Sequence, residues 1–251
     1  MPGRQGRRPE HLLQQLIVID VVEVTKEYGD RSALRAVNLA LPRAQLSYLL
    51  GRNGAGKSTL LRCLSGLTTP STGTVLLDGR PIGDRADRAR LVGIHLGGKR
   101  FPPGHTARRY LRFRAAAAGV GRSRVNAVLD DVGMTDHADR PLSGFSLGMA
   151  QRIGIAAALL PDPAALIFDE PHNGLDIVGI HWVRALLTDL AAGGRTVVVA
   201  SHLLDEVART ADRVIMLDDG AVVADEPLSD FVGAATDLEE AYLIRTGRRI
   251  A

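Results

Sequence analysis

Apolar positions in this chain fall into short blocks whose period changes along the sequence. Aliphatic and β-branched runs over residues 16–24, 34–41 and Gln45–Leu50 predict strands, and the last stops at a glycine-rich loop. Residues 74–78 and 91–95 continue the strand pattern. Residues 107–132 switch to a helical period, interrupted at Gly119, Val120 and Gly121. After Ser146, the positions Met149, Ile153, Ala156 and Leu160 trace one face of a helix that Pro161 and Pro163 end. Strands over 164–168, 195–200 and 214–217 then alternate with helices over 176–192 and 203–210, the first of these closed by Gly193 and Gly194. Such alternation predicts an α/β fold with a mainly parallel core sheet and helices packed on it.

Composition narrows the picture. With 251 residues, 45% of them hydrophobic and 24% charged, the chain fits one compact domain and excludes disorder and collagen. The best candidate for a membrane helix, residues 153–168, is cut by Pro161, Asp162 and Pro163, short of the roughly 20 apolar residues a span needs. A single cysteine, Cys63, excludes an internal disulfide and a thiolate-rich zinc site, and nothing at the N-terminus reads as a secretory signal. The expected location is cytoplasmic. Residues 1–15, with Arg4, Arg7 and Arg8, read as a flexible basic arm, residues 16–224 as the folded domain, and residues 225–251 as a short C-terminal tail. The net charge of +3 is too small to argue for nucleic acid, but ten basic residues oppose two acidic ones between positions 80 and 114, a local +8. That band is either a solvated arginine-rich surface or a face for lipid head groups, RNA or an acidic partner.

The candidate chemistry begins at Gly51, Arg52, Asn53, Gly54, Ala55, Gly56, Lys57, Ser58 and Thr59, between a predicted strand and a predicted helix. Glycines let successive backbone N–H groups converge on phosphate oxygens, and the following helix turns its positive end toward them. Lys57 supplies a point charge and the Ser58 hydroxyl a ligand for Mg²⁺. A turn that only connected two elements would need neither, so this loop is expected to bind a nucleoside triphosphate. Mg²⁺ prefers oxygen donors, and Asp169 stands where the apolar strand 164–168 ends. Glu170 follows it, and adjacent carboxylates at a strand end point apart. Asp169 is therefore expected at the metal, and Glu170 as the catalytic candidate at the attacking water, which it orients or deprotonates.

Together these motifs resemble the ATP-binding subunits of ABC transporters over residues 16–224. Phe145-Ser146-Leu147-Gly148-Met149, followed by Gln151-Arg152, is similar to the family's LSGGQ signature, with Leu147 for the first glycine and Met149 for the glutamine. Ser146 and Gly148 are kept; a serine there is either a helix cap or a phosphate-binding group. Asn173-Gly174-Leu175-Asp176 resembles the D-loop, which adds Asp176 to the nucleotide-binding set, and Ser201-His202 resembles the switch histidine, which makes His202 a second catalytic candidate. Tyr28 matches the aromatic that stacks on adenine, or is an ordinary half-buried tyrosine. Two positions depart from the pattern: Gly97 stands where a glutamine that senses Mg²⁺ is usual, and His172 where threonine is common.

The resemblance implies a P-loop ABC-type ATPase with an N-terminal antiparallel β subdomain and a helical subdomain over about residues 98–161. It implies ATP and Mg²⁺, and a head-to-tail dimer with ATP between the phosphate loop of one copy and Ser146 of the other. A separate transmembrane permease would hold the chain at the cytoplasmic face of the membrane, the subclass resembling drug, bacteriocin or peptide-antibiotic exporters, with no nucleic acid expected. Two other readings stay open at this point: a soluble ABC-type ATPase acting on nucleic acid or the ribosome, and a nucleotide-binding regulator that Gly97 makes a poor hydrolase.

Overall fold

A computed structural model describes residues 17–97, 101–102 and 104–247. The arm expected over 1–15, and Lys99 and Arg100 of the basic band, lie outside the described residues. The chain opens with a long hairpin, β1 (Ile17–Tyr28) and β2 (Arg31–Pro42), whose Val24–Val37 pair lies beside a bulge. Then come β3 (Gln45–Leu50), α1 (Lys57–Leu64), β4 (Thr72–Leu77), β5 (Arg80–Pro81), the short α2 (Arg88–Leu91) and β6 (Val92–His95). Helices α3 (Ala107–Ala117), α4 (Arg122–Asp131) and α5 (Leu147–Leu159) follow, with the break between α3 and α4 at the expected Gly119–Gly121 stretch. The second half alternates β7 (Ala165–Asp169), α6 (Ile177–Ala192), β8 (Thr196–Ala200), α7 (Leu204–Thr210) and β9 (Arg213–Asp218). It ends in β10 (Ala221–Pro227), α8 (Leu228–Val232) and α9 (Leu238–Arg245).

Two sheets result. Strands β2-β1-β4-β5 form an antiparallel sheet, and β10-β9-β3-β8-β7-β6 form the core sheet, parallel except for β10 at its edge. Alternation along the central strands sends side chains to two apolar layers. Leu46, Tyr48, Leu166, Phe168, Val197 and Val199 meet the α3–α6 side, whereas Leu49, Ile167, Val198 and Ala200 meet α1 and the antiparallel sheet. Each fully buried aliphatic or aromatic side chain contributes about 1.5–3 kcal/mol, so this two-sided burial fixes the register of β3, β7 and β8. Their carboxyl ends therefore lie side by side, and the residues just after them are brought to one edge of the sheet.

The boundary expected at residue 224 falls inside β10. Phe231, Leu238 and Ala241 beyond it are buried in the core, and Arg245 pairs with Glu226 at 2.6 Å and lies over the Phe231 ring. Residues through Arg245 are thus part of the folded body rather than a tail. An Asp-Glu-Pro ending hid the strand from its apolar pattern, although Asp225 is held by Arg213 from the neighbouring strand at 2.5 Å.

Candidate functional site

The loop after β3 turns so tightly that two glycines are required. A Cβ on Gly51 would stand 2.3 Å from the Leu217 carbonyl oxygen, and one on Gly56 would stand 2.5 Å from that of Ala33. Gly56 has a φ of +106 and forms the N-cap of α1 without using a side chain, which leaves the helix's first N–H groups to an anion. Lys57 folds back over this loop and donates to the Gly51 and Arg52 carbonyl oxygens at 2.5 and 3.0 Å. Burial lowers its pKa below the ordinary lysine value, and Glu170 and Asp169 pull in the other direction.

Ser58 joins the loop to the end of β7, its Oγ donating to Asp169 Oδ2 at 3.0 Å. A hydroxyl and a carboxylate so placed are hard oxygen donors that suit Mg²⁺. No cluster of three or more histidine, cysteine or acidic side chains that would cage a metal exists among the described residues. An ion here would thus take its other ligands from phosphate and water, the usual habit of Mg²⁺.

Beside Asp169, Glu170 adopts a φ of +51, a left-handed conformation that is unusual for a residue with a Cβ. Its Oε2 lies 2.7 Å from Nδ1 of His202, which follows β8. A proton on Nδ1 would orient the carboxylate, leaving Nε2 for a water or a phosphate oxygen. These groups converge on a cavity of about 610 Å³ lined by Tyr28, Arg31, Arg52, Asn53, Gly54, Gly56, Lys57, Ser58, Thr59, Gly97, Asp169, Glu170 and Asn173. His202 lines the adjoining cleft with Gly51, Arg52 and Asn53. Tyr28 is the last residue of β1, half exposed at the cavity wall, with Lys26 Nζ 5.2 Å from its ring centre.

Ser146, Gly148 and Asp176 do not line this cavity. Ser146 Oγ accepts the Met149 N–H at 3.1 Å as the cap of α5, and Asp176 Oδ1 accepts the Gly179 N–H at 2.7 Å as the cap of α6. Gly148 packs against the Gly174 carbonyl, so the starts of the two helices touch. Beside these caps, Ile177 and Val178 are 75% and 73% exposed, and Leu147 is also exposed.

Gly97 lines the cavity with a φ of +69, and a Cβ there would stand 3.5 Å from the Asp169 carbonyl oxygen, so the departing position lies beside the end of β7. His172 is 2% exposed, and neither ring nitrogen has a hydrogen-bond partner among the described residues. Burial holds its pKa below the usual histidine value. Sequence reasoning did not single out Arg31, which donates to the Gly54 carbonyl across the cavity mouth at 3.5 Å, because nothing in a hairpin turn marks an arginine as reaching a loop 23 residues away. It also did not assign a part to the buried pair His95 and Gln151.

A sequence profile described as ABC transporter matches residues 34–173. The chain is 33% identical over 225 residues to the lantibiotic transport ATP-binding protein SrtF of Streptococcus pyogenes, covering 90% of this chain and 96% of that one. It is 36% identical over 216 residues to the bacitracin transport ATP-binding protein BcrA of Enterococcus faecalis, covering 85% and 70% respectively. Among solved structures, the dimeric ABC transporter cassette MJ0796 superposes with a TM-score of 0.78 at 28% identity, covering 83% of this chain and 98% of that one.

Proposed function

The chain belongs to the ABC transporter family of ATP-binding subunits, and from that premise we propose how its residues work and what they power. ATP enters the cavity with its phosphates on the loop 51–59, held by backbone N–H groups and by Lys57, and its adenine against Tyr28. Ser58 and Asp169 would hold Mg²⁺, which would supply charge neutralisation at the phosphates. Glu170 accepts the proton of the attacking water. His202 steadies the Glu170 carboxylate through Nδ1 and presents Nε2 to the site. The meeting of the loop, Asp169 and Glu170 in one cavity carries this reading.

ATP closes a dimer. Ser146 and Gly148 stand apart from the cavity in their own protomer, beside a patch of exposed Leu147, Ile177 and Val178, and the similar cassette MJ0796 is dimeric. The phosphate loop of one copy and Ser146 of the other enclose the nucleotide, so cleavage loosens the pair and the difference drives a separate transmembrane permease. By similarity to lantibiotic and bacitracin transport proteins, the cargo is a drug, peptide or antibiotic-like compound moved outward, and the chain sits at the cytoplasmic face through its permease. No helix among the described residues is long and apolar enough to cross a membrane.

Affinity purification from the native host with ATPase assay tests this reading. A multi-span membrane protein should co-purify and raise turnover. Co-purification of RNA or DNA in its place, with turnover stimulated by that nucleic acid, would overturn it.

A further inference from the structure

Glu170 holds a left-handed backbone conformation that is strained for a residue with a Cβ, so its neighbours must fix it. Its N–H donates to the Ala200 carbonyl at 2.9 Å, and its carbonyl accepts from the Asn173 N–H at 3.2 Å and from Gln151 Nε2 at 2.8 Å. Gln151 lies on α5 and is 2% exposed. Its Oε1 is 2.9 Å from Nε2 of His95, the last residue of β6 and 7% exposed. A carbonyl only accepts, so the Gln151 amide must turn its NH₂ to Glu170 and its oxygen to His95. His95 therefore carries a proton on Nε2 and donates it. Burial disfavours its charged form, which leaves one neutral tautomer.

The ring sits in a slot made for it. A Cβ on Gly154, three residues after Gln151 on the same helix, would stand 2.2 Å from His95 Cε1. Gly97, where the family pattern places a glutamine, has no side chain to respond to the nucleotide. His95, two residues earlier on the same segment, does have one, and it is linked to Glu170 through a single buried amide.

We propose that His95 and Gln151 form a positioning relay that sets the Glu170 peptide, and with it the aim of the carboxylate at the attacking water. Displacement of the 95–97 segment then changes the rate of hydrolysis and leaves nucleotide affinity alone. The relay rests on the reading of Glu170 as the base.

His95→Leu fills the slot without a donor, whereas His95→Gln restores an N–H. The leucine variant should lose about tenfold in kcat, with KM and Kd for ATP within about twofold of wild type, and the glutamine variant should recover most of the loss. Combining His95→Leu with Gln151→Leu should be no slower than the slower single variant, because both cut one chain of contacts. Wild-type kcat in His95→Leu, or fully additive losses in the pair, would overturn the relay. A wild-type protein that hydrolyses no ATP would defeat the functional reading instead. The nitrogen-15 shifts of His95 in the wild-type chain decide the relay independently of activity and of whether the variants fold: a neutral ring protonated on Nε2 is expected, and one protonated on Nδ1 overturns it.

Discussion

Replacing Lys57 with methionine should separate what this side chain does for nucleotide from what it does for the fold. In the structure, Nζ is half-buried and, among the described residues, donates to the Gly51 and Arg52 carbonyls, and burial, the largest influence, lowers its pKa. The unfolded chain then holds that proton more readily than the folded one. Stability of the nucleotide-free protein consequently rises as pH climbs through the lowered pKa, and at neutral pH the charge detracts from it. Methionine keeps the apolar stem and removes the charge, so the nucleotide-free Tm should stay within about 2–4 °C of wild type, the span of roughly 1 kcal/mol for a chain of this size. Binding should respond in the opposite way. Two hydrogen bonds from an ammonium to phosphate oxygens contribute about 1.5–3 kcal/mol each, so their loss weakens ATP binding by roughly 10²–10⁴. Titration calorimetry measures the affinity, and scanning calorimetry with and without Mg-ATP measures the fold. A Kd within tenfold of wild type, or a nucleotide-free Tm lowered by more than about 10 °C, would refute the reasoning.

Glu170→Gln should slow hydrolysis by roughly 10²–10⁴, about 3–5 kcal/mol of barrier, while ATP binding persists; steady-state turnover beside equilibrium binding checks this, and unchanged turnover removes Glu170 as the base. Ser146→Ala should cost about 1 kcal/mol through the lost cap on the Met149 N–H and should also abolish ATP-dependent association. Ser146→Asp should keep the cap and still block association by setting a carboxylate against phosphate, so an aspartate variant that associates normally would leave Ser146 a cap alone. His172, buried with neither nitrogen partnered among the described residues and with a lowered pKa, takes up a proton in the unfolded chain before the folded one. Stability is therefore full above the ordinary histidine pKa near 6.5 and falls as pH drops below it. His172→Phe should flatten the fall in Tm between about pH 6.5 and 5, and an unchanged slope would count against the assignment.

The parts of the site legible in the sequence are those whose chemistry is local. The loop 51–59 shows its glycines, lysine and hydroxyl in one run, and Asp169 and Glu170 stand at the end of an uninterrupted apolar strand. Ser146 and Asp176 were readable as helix starts for the same reason, and both do cap helices. Strand order was not legible. That β3 lies between β8 and β9, far along the chain, depends on which apolar faces can be covered together. The C-terminal helices were missed because they are short: Leu228, Phe231 and Val232, and then Leu238, Ala241 and Tyr242, keep a helical spacing for only one or two turns each, too brief to stand out among the polar residues around them. His95 and Gln151 were invisible as a pair for a different reason: a polar residue within an apolar pattern looks the same whether it faces solvent or is held by a partner 56 residues away.

Enclosure of ATP between two copies of the chain is the claim on which the proposed coupling stands. Sedimentation velocity of the Glu170→Gln variant, with and without saturating Mg-ATP, measures it most directly. The 26.8 kDa chain should sediment as a single copy alone and at about twice that mass once ATP is added, returning to one copy when ADP replaces it. A species of unchanged mass at an ATP concentration that calorimetry shows to be saturating would contradict it.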